Sequence, residues 1–227
     1  MLDAALRRVI GPPLDAAGRT LAAVGARADA VTLAGFAIGL AAIPLLATER
    51  YGLALVAIAL NRLADGLDGA VARQRGPTDL GGYLDIVCDF LFYSGVVFGF
   101  ALARPENALP AAFLIFSFVG TGSSFLAFAI LAAKRRLSTA ARGRKSFYHL
   151  GGLAEGSETI ALFVAVCLLP DAFPLLAWIF GSLCWITTVS RILGAAATFG
   201  ASFETAASRP PQDDPSRRPF GPPQDEE

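Results

Sequence analysis

Six apolar stretches run through the chain, at about 29–48, 52–73, 82–103, 109–133, 148–169 and 173–198. Each is close to the ~20 residues that cross a bilayer as a helix. Lipid offers the backbone no hydrogen-bond partner, and a lone segment satisfies its own amides only by becoming helical. The expected fold is therefore all-α, a polytopic membrane protein with six transmembrane helices. Composition agrees. Hydrophobic residues make up 54% of the chain and the mean hydropathy is +0.54, too apolar for an ordinary soluble domain. Pro44, Pro110, Pro170 and Pro174 fall near the expected helix ends, where proline is tolerated. Cys88, Cys167 and Cys184 all lie in apolar stretches, at neither metal-ligand nor disulfide spacing, and read as small buried hydrophobes.

The flanks divide the chain into three parts. Residues 1–27 place Leu2, Leu6, Val9 and Ile10 at roughly helical spacing beside Arg7 and Arg8, with Gly11-Pro12-Pro13 as a break. This reads as a short amphipathic interfacial helix. No long apolar run precedes Arg27, so no cleavable signal peptide is expected. Residues 28–203 form the membrane domain. Residues 204–227, rich in Pro, Asp, Glu, Arg and Gln, cannot bury a core and are expected to be a disordered tail.

Charge sets the expected orientation. With six spans both termini share a side, and that side collects 15 of the 19 Lys and Arg residues. The opposite loops hold only Arg50 and Arg104, while Arg62 and Arg191 lie within spans. The positive-inside rule places the 15 in the cytoplasm. The basic loop Lys134–Lys145 belongs to this signal, and it also suits anionic lipid headgroups or an anionic acceptor.

The chemistry concentrates in Asn61–Phe90, NRLADGLDGAVARQRGPTDLGGYLDIVCDF. Asp65 and Asp68 are three apart and Asp85 and Asp89 four apart, so each pair shares a helix face. Gly76-Pro77 stops the first helix, and the short break turns the second antiparallel to it. The two pairs then meet at one depth as a four-carboxylate cluster. Such a cluster is self-repelling, and a divalent cation resolves it, with hard oxygen ligands suited to Mg2+ or Mn2+. Gly66, Gly69, Ala70 and Ala72 strip bulk from one helix, and Gly81 and Gly82 from the next, which lets a helix or a ligand approach the backbone. Arg73 offers a fixed positive fork for phosphate. Acids, metal, glycines and arginine together point to a substrate bearing a pyrophosphate. A structural polar network with Arg62 and Arg73, or an ion pathway, are the rival uses of these acids. Transport acids, however, usually sit near mid-membrane, whereas these cluster at one boundary.

The pattern Asp65-x2-Asp68-Gly69-x2-Ala72-Arg73-x7-Gly81-x3-Asp85-x3-Asp89 resembles the 25-residue signature of the CDP-alcohol phosphatidyltransferase family. The family often has eight residues between the Arg and the Gly, where this chain has seven. The membrane layout extends the resemblance to about Ala28–Phe199. It implies that Asp65, Asp68 and Asp85 are metal ligands in a site for two metals. Asp89 would also touch metal and deprotonate the acceptor alcohol. Gly69, Arg73 and Thr78 would contact the CDP moiety. Thr32 matches a nucleotide-proximal threonine, although Asp29-Ala30 replaces the family's usual Pro-Asn before it. The implied activity is transfer of a phosphatidyl group from CDP-diacylglycerol to an alcohol acceptor with release of CMP. A homodimer in the bacterial inner membrane is expected, with no nucleic-acid partner. Two alternatives stay open: transfer of a CDP-linked headgroup to diacylglycerol on the same fold, and a small ion-coupled transporter. Tyr148, His149, Glu155 and Glu158 at the start of the fifth span, with Arg191 in the sixth, form either an internal salt bridge or a lining for the acceptor cavity.

Overall fold

The computed structural model describes residues 2–135 and 156–207. Every element among them is helical: α1 (Leu2–Ala23), α2 (Ala28–Leu40), α3 (Ala42–Ala47), α4 (Tyr51–Arg75), α5 (Asp79–Ala103), α6 (Ala108–Lys134), α7 (Gly156–Leu168) and α8 (Phe173–Ala207). Short 3-10 turns at Pro105–Asn107 and Pro170–Ala172 start α6 and α8, each opening on a proline whose missing N–H needs no partner there.

Among the described residues, four stretches are long and apolar enough to cross a membrane: Ala28–Ala47, Asp79–Ala103, Pro105–Lys134 and Pro170–Gly200. The expected count of six is not met on those criteria. Helix α4 has 25 residues, but it carries Arg62, Asp65, Asp68, Arg73 and Arg75. The described part of the fifth stretch, α7, has only 13 residues, and its expected start lies outside the described residues. The expected tail beyond Ala207, and most of the basic loop, also lie outside them.

Two expectations about proline are corrected. The first apolar stretch is two helices, because Pro44 cannot donate to the carbonyl of Leu40 and its ring crowds that carbonyl. The chain tightens at Ala41, whose N–H bonds to Ile38 O at 3.1 Å. Conversely, Gly11-Pro12-Pro13 does not break the first helix, since α1 runs unbroken through Pro12 and Pro13. Its second half is held by packing, which overrides local propensity. Gly18 backs onto Ala70 so closely that a Cβ there would lie 2.5 Å from the Ala70 Cβ, and Leu14 fills the space beside Gly66.

The bundle closes around Phe92, Phe100, Phe163 and Phe173. Phe100 stacks on Phe173 at 4.6 Å, and Phe92 meets Phe163 edge-on at 6.3 Å. Helices α2 and α4 pack along each other, α3 lies on α5, and α6 pairs with α8. Outward positions are apolar as well, with Leu109, Ile130 and Leu193 all exposed, as suits a lipid-facing surface. All three cysteines are free and buried.

Candidate active site

Helix α4 ends at Gly76, whose φ of 92° lies in the left-handed region that glycine adopts without strain. Pro77 bars continuation, and Thr78 caps α5 by accepting from Gly81 N at 3.0 Å. This tight reversal returns the chain so that α2 packs on both α4 and α5, and the two acidic pairs line one pocket. The pocket is lined by Thr32, Gly35 and Phe36 of α2, by Asn61, Arg62, Asp65 and Asp68 of α4, and by Asp85, Cys88 and Asp89 of α5.

The four acids divide three to one. Asp65, Asp68 and Asp85 each offer a carboxylate oxygen, and these atoms lie within 4.8 Å of one another. Hard anionic oxygens converging on one point from two helices fit a divalent cation. The Thr32 hydroxyl donates to Asp68 Oδ2 at 2.6 Å, which orients one member of the set from a third helix. Asp89 lines the same pocket but is engaged elsewhere. Arg62 Nη2 donates to Asp89 Oδ1 at 2.8 Å, and the Tyr93 hydroxyl lies 3.4 Å from Asp89 Oδ2. Arg62 also approaches Asp65 at 3.6 Å.

The remaining expected site residues fall around this centre. Arg73 faces α1, where its Nη2 and Nε meet Asp15 Oδ1 at 2.7 and 3.2 Å. Gly69 leaves room beside Arg73, since a Cβ there would lie 3.5 Å from Nη1. Thr78 sits at the start of α5 as its cap. Glu158 accepts from the Ser157 hydroxyl at 3.0 Å. Arg191 donates to Thr121 O at 3.0 Å and lies 5.6 Å over the Phe125 ring. Glu155, Tyr148 and His149 lie outside the described residues.

Several residues here were not singled out by the sequence. Asn61 donates to Gly35 O at 2.9 Å and accepts from Arg62 through Oδ1. Gly35 and Gly39 let α2 press on α4: a Cβ at Gly39 would fall 2.7 Å from the Phe92 ring and 2.8 Å from Asn61 Nδ2. The signals were present as two small residues four apart in the first span and as a polar Asn-Arg pair inside the second.

Three carboxylates converge beside the turn between two helices of an apolar bundle, an arrangement that fits a divalent cation. Residues 26–196 match the family model for CDP-alcohol phosphatidyltransferase, so the chain belongs to that family and is a membrane-spanning transferase of phospholipid synthesis. It is 58% identical over 193 residues to an inner membrane protein, YnjF, of Escherichia coli (strain K12), covering 85% of this chain and 94% of that one. It is 29% identical over 191 residues to archaetidylinositol phosphate synthase of Pyrococcus horikoshii, covering 84% and 94%. The fold matches that of Mycobacterium tuberculosis phosphatidylinositol phosphate synthase with CDP-DAG bound, at a TM-score of 0.60 and 24% identity, over 81% of this chain and 93% of that one. A second structure of that synthase, in complex with manganese and citrate, matches at 0.58 and 23%, over 80% and 88%.

Proposed function

We propose that the protein transfers a phosphatidyl group from CDP-diacylglycerol to the hydroxyl of an alcohol acceptor and releases CMP. The observation that carries this reading is the convergence of Asp65, Asp68 and Asp85 beside Asp89 in one pocket. Asp65, Asp68 and Asp85 would hold Mg2+ or Mn2+, which would supply charge neutralisation for the diphosphate and for the departing CMP. Thr32 fixes the rotamer of Asp68. Arg73, which faces Asp15 here, takes the pyrophosphate when substrate binds, with Gly69 and Thr78 against the CDP moiety. Asp89 receives the proton of the acceptor hydroxyl. The hydroxyl oxygen bonds to the phosphorus that carries diacylglycerol, and the bond from that phosphorus to the CMP oxygen breaks.

Purified protein assayed with CDP-diacylglycerol and serine, glycerol phosphate, inositol phosphate, inositol or choline tests the reading. Release of CMP that depends on one acceptor is the expected result. No turnover with any of them, alongside transfer of a CDP-linked headgroup to diacylglycerol, would replace it. The charge bias supports a cytoplasmic pocket and cytoplasmic termini in a bacterial inner membrane. A cysteine placed at position 76 should react with impermeant reagent only from the cytoplasmic side, and labelling from outside reverses the topology.

A further inference from the structure

Arg62 is a cation inside the helical bundle, where charge is costly and seldom without a use. Its side chain is only 17% exposed and is held from every side. Nε and Nη2 donate to Asn61 Oδ1 at 2.8 and 2.6 Å, and Nη1 donates to the Tyr93 hydroxyl at 3.2 Å. The guanidinium lies 4.7 Å over the Phe92 ring and 5.3 Å over that of Tyr93. Each of these partners is itself anchored. Asn61 is tied to α2 through Gly35 O, Phe92 is buried against Phe163, and Tyr93 packs on Phe163 at 6.1 Å. The rest of the fork faces two acids: Nη2 donates to Asp89 Oδ1 at 2.8 Å while Nη1 stands 3.6 Å from Asp65 Oδ2, and the Tyr93 hydroxyl reaches the other oxygen of Asp89.

We infer that Arg62, backed by Asn61 and Tyr93, is a positioning residue that aims the Asp89 carboxylate at the acceptor hydroxyl. The inference rests on the proposed role of Asp89. A free aspartate on α5 samples several rotamers, and a base must stand within hydrogen-bond reach of the proton it takes. The clamp selects one rotamer. It holds Asp89 within the pocket that it shares with Asp65, Asp68 and Asp85. A merely charge-balancing cation would be replaceable by lysine. A positioning fork would not, because an ammonium lacks the flat face that sits on Phe92 and the paired N–H groups that bridge Asn61 and Asp89.

The test measures kcat, the KM for CDP-diacylglycerol and Mn2+ affinity by electron paramagnetic resonance. It uses Arg62→Lys and Tyr93→Phe, each alone and combined with Asp89→Asn. Arg62→Lys should lower kcat about 10- to 100-fold, the usual effect of losing a partner that orients a site ligand, with KM and Mn2+ affinity at wild-type values. Tyr93→Phe should act in the same direction with a smaller loss. In the Asp89→Asn background neither change should lower kcat further, since no base remains to be aimed. Wild-type kcat in Arg62→Lys, an equal loss in both backgrounds, or a loss that appears in Mn2+ affinity instead of kcat would each overturn the inference. If Asp89→Asn alone keeps wild-type turnover, the base reading fails first and the positioning role falls with it. Tyr93→Phe keeps the ring and removes only the hydroxyl, so it decides the matter should Arg62→Lys not fold.

Discussion

Two arginine–carboxylate clusters stand at opposite ends of the bundle, and they differ in almost everything but chemistry. At one end Arg62 gathers Asp89 and Asp65. At the other, beyond α4 and about 20 Å away by helix rise, Arg104 bridges Glu49 at 3.0 and 3.1 Å and Asp171 at 2.5 Å. Asp171 is 87% exposed and Glu49 is 45% exposed. Water competes for every bond in the Arg104 cluster, and exposed pairs of this kind contribute little. The Arg62 cluster is part-buried, with Arg62 17%, Asp89 29% and Asp65 36% exposed, and the rings of Phe92 and Tyr93 cover the guanidinium, so water competes less there. The guanidinium of Arg104 draws the Glu49 carboxyl below its usual range. That clasp is therefore intact at neutral pH and opens only as the pH falls through the lowered value.

The comparison is broken most severely by emptying the buried site. Asp68→Asn should weaken Mn2+ and CDP-diacylglycerol binding together and abolish turnover, as should exhaustive chelation of the wild type. Activity that survives chelation would remove the metal from the site. Asp89→Asn should lower kcat by ~10²–10⁴-fold, the usual worth of a general base, while nucleotide-lipid affinity holds. If binding is lost as fully as in Asp68→Asn, Asp89 belongs with the metal ligands instead. Thr32→Val keeps the volume and removes the hydroxyl on Asp68, and Mn2+ affinity should fall about 10- to 100-fold. At the exposed end, Arg104→Ala should leave both turnover and melting temperature at wild-type values. A large loss there would show that the outer clasp matters as much as the buried one, and the contrast would collapse.

Much of the site was legible because its chemistry is local. Asp65 and Asp68 share a turn, Asp85 and Asp89 share the next helix, and Gly76-Pro77-Thr78 spells the reversal between them. The meeting of the two acidic pairs beside one turn follows from these spacings. A polar network of the acids with Arg62 was one reading of the sequence, but the parts of the clamp at 35, 61 and 93 were not legible, because only packing makes them neighbours. The helix through Pro12 and Pro13 was misread for a similar reason. Its support comes from Ala70 and Gly66 on a helix some fifty residues away in sequence.

The sequence by itself determined an all-helical membrane chain and a carboxylate cluster at one turn. A long apolar segment has no alternative to a helix, and helical periodicity fixes which side chains share a face. Only the tertiary structure decided how the four acids divide. Oxygens of Asp65, Asp68 and Asp85 converge while Asp89 takes the closest bond from Arg62, because close approach at Gly35 and Gly39 seats Asn61 and Phe92 around the guanidinium. Charge spacing along a chain sets which groups meet. Steric closure between helices sets which of them pair.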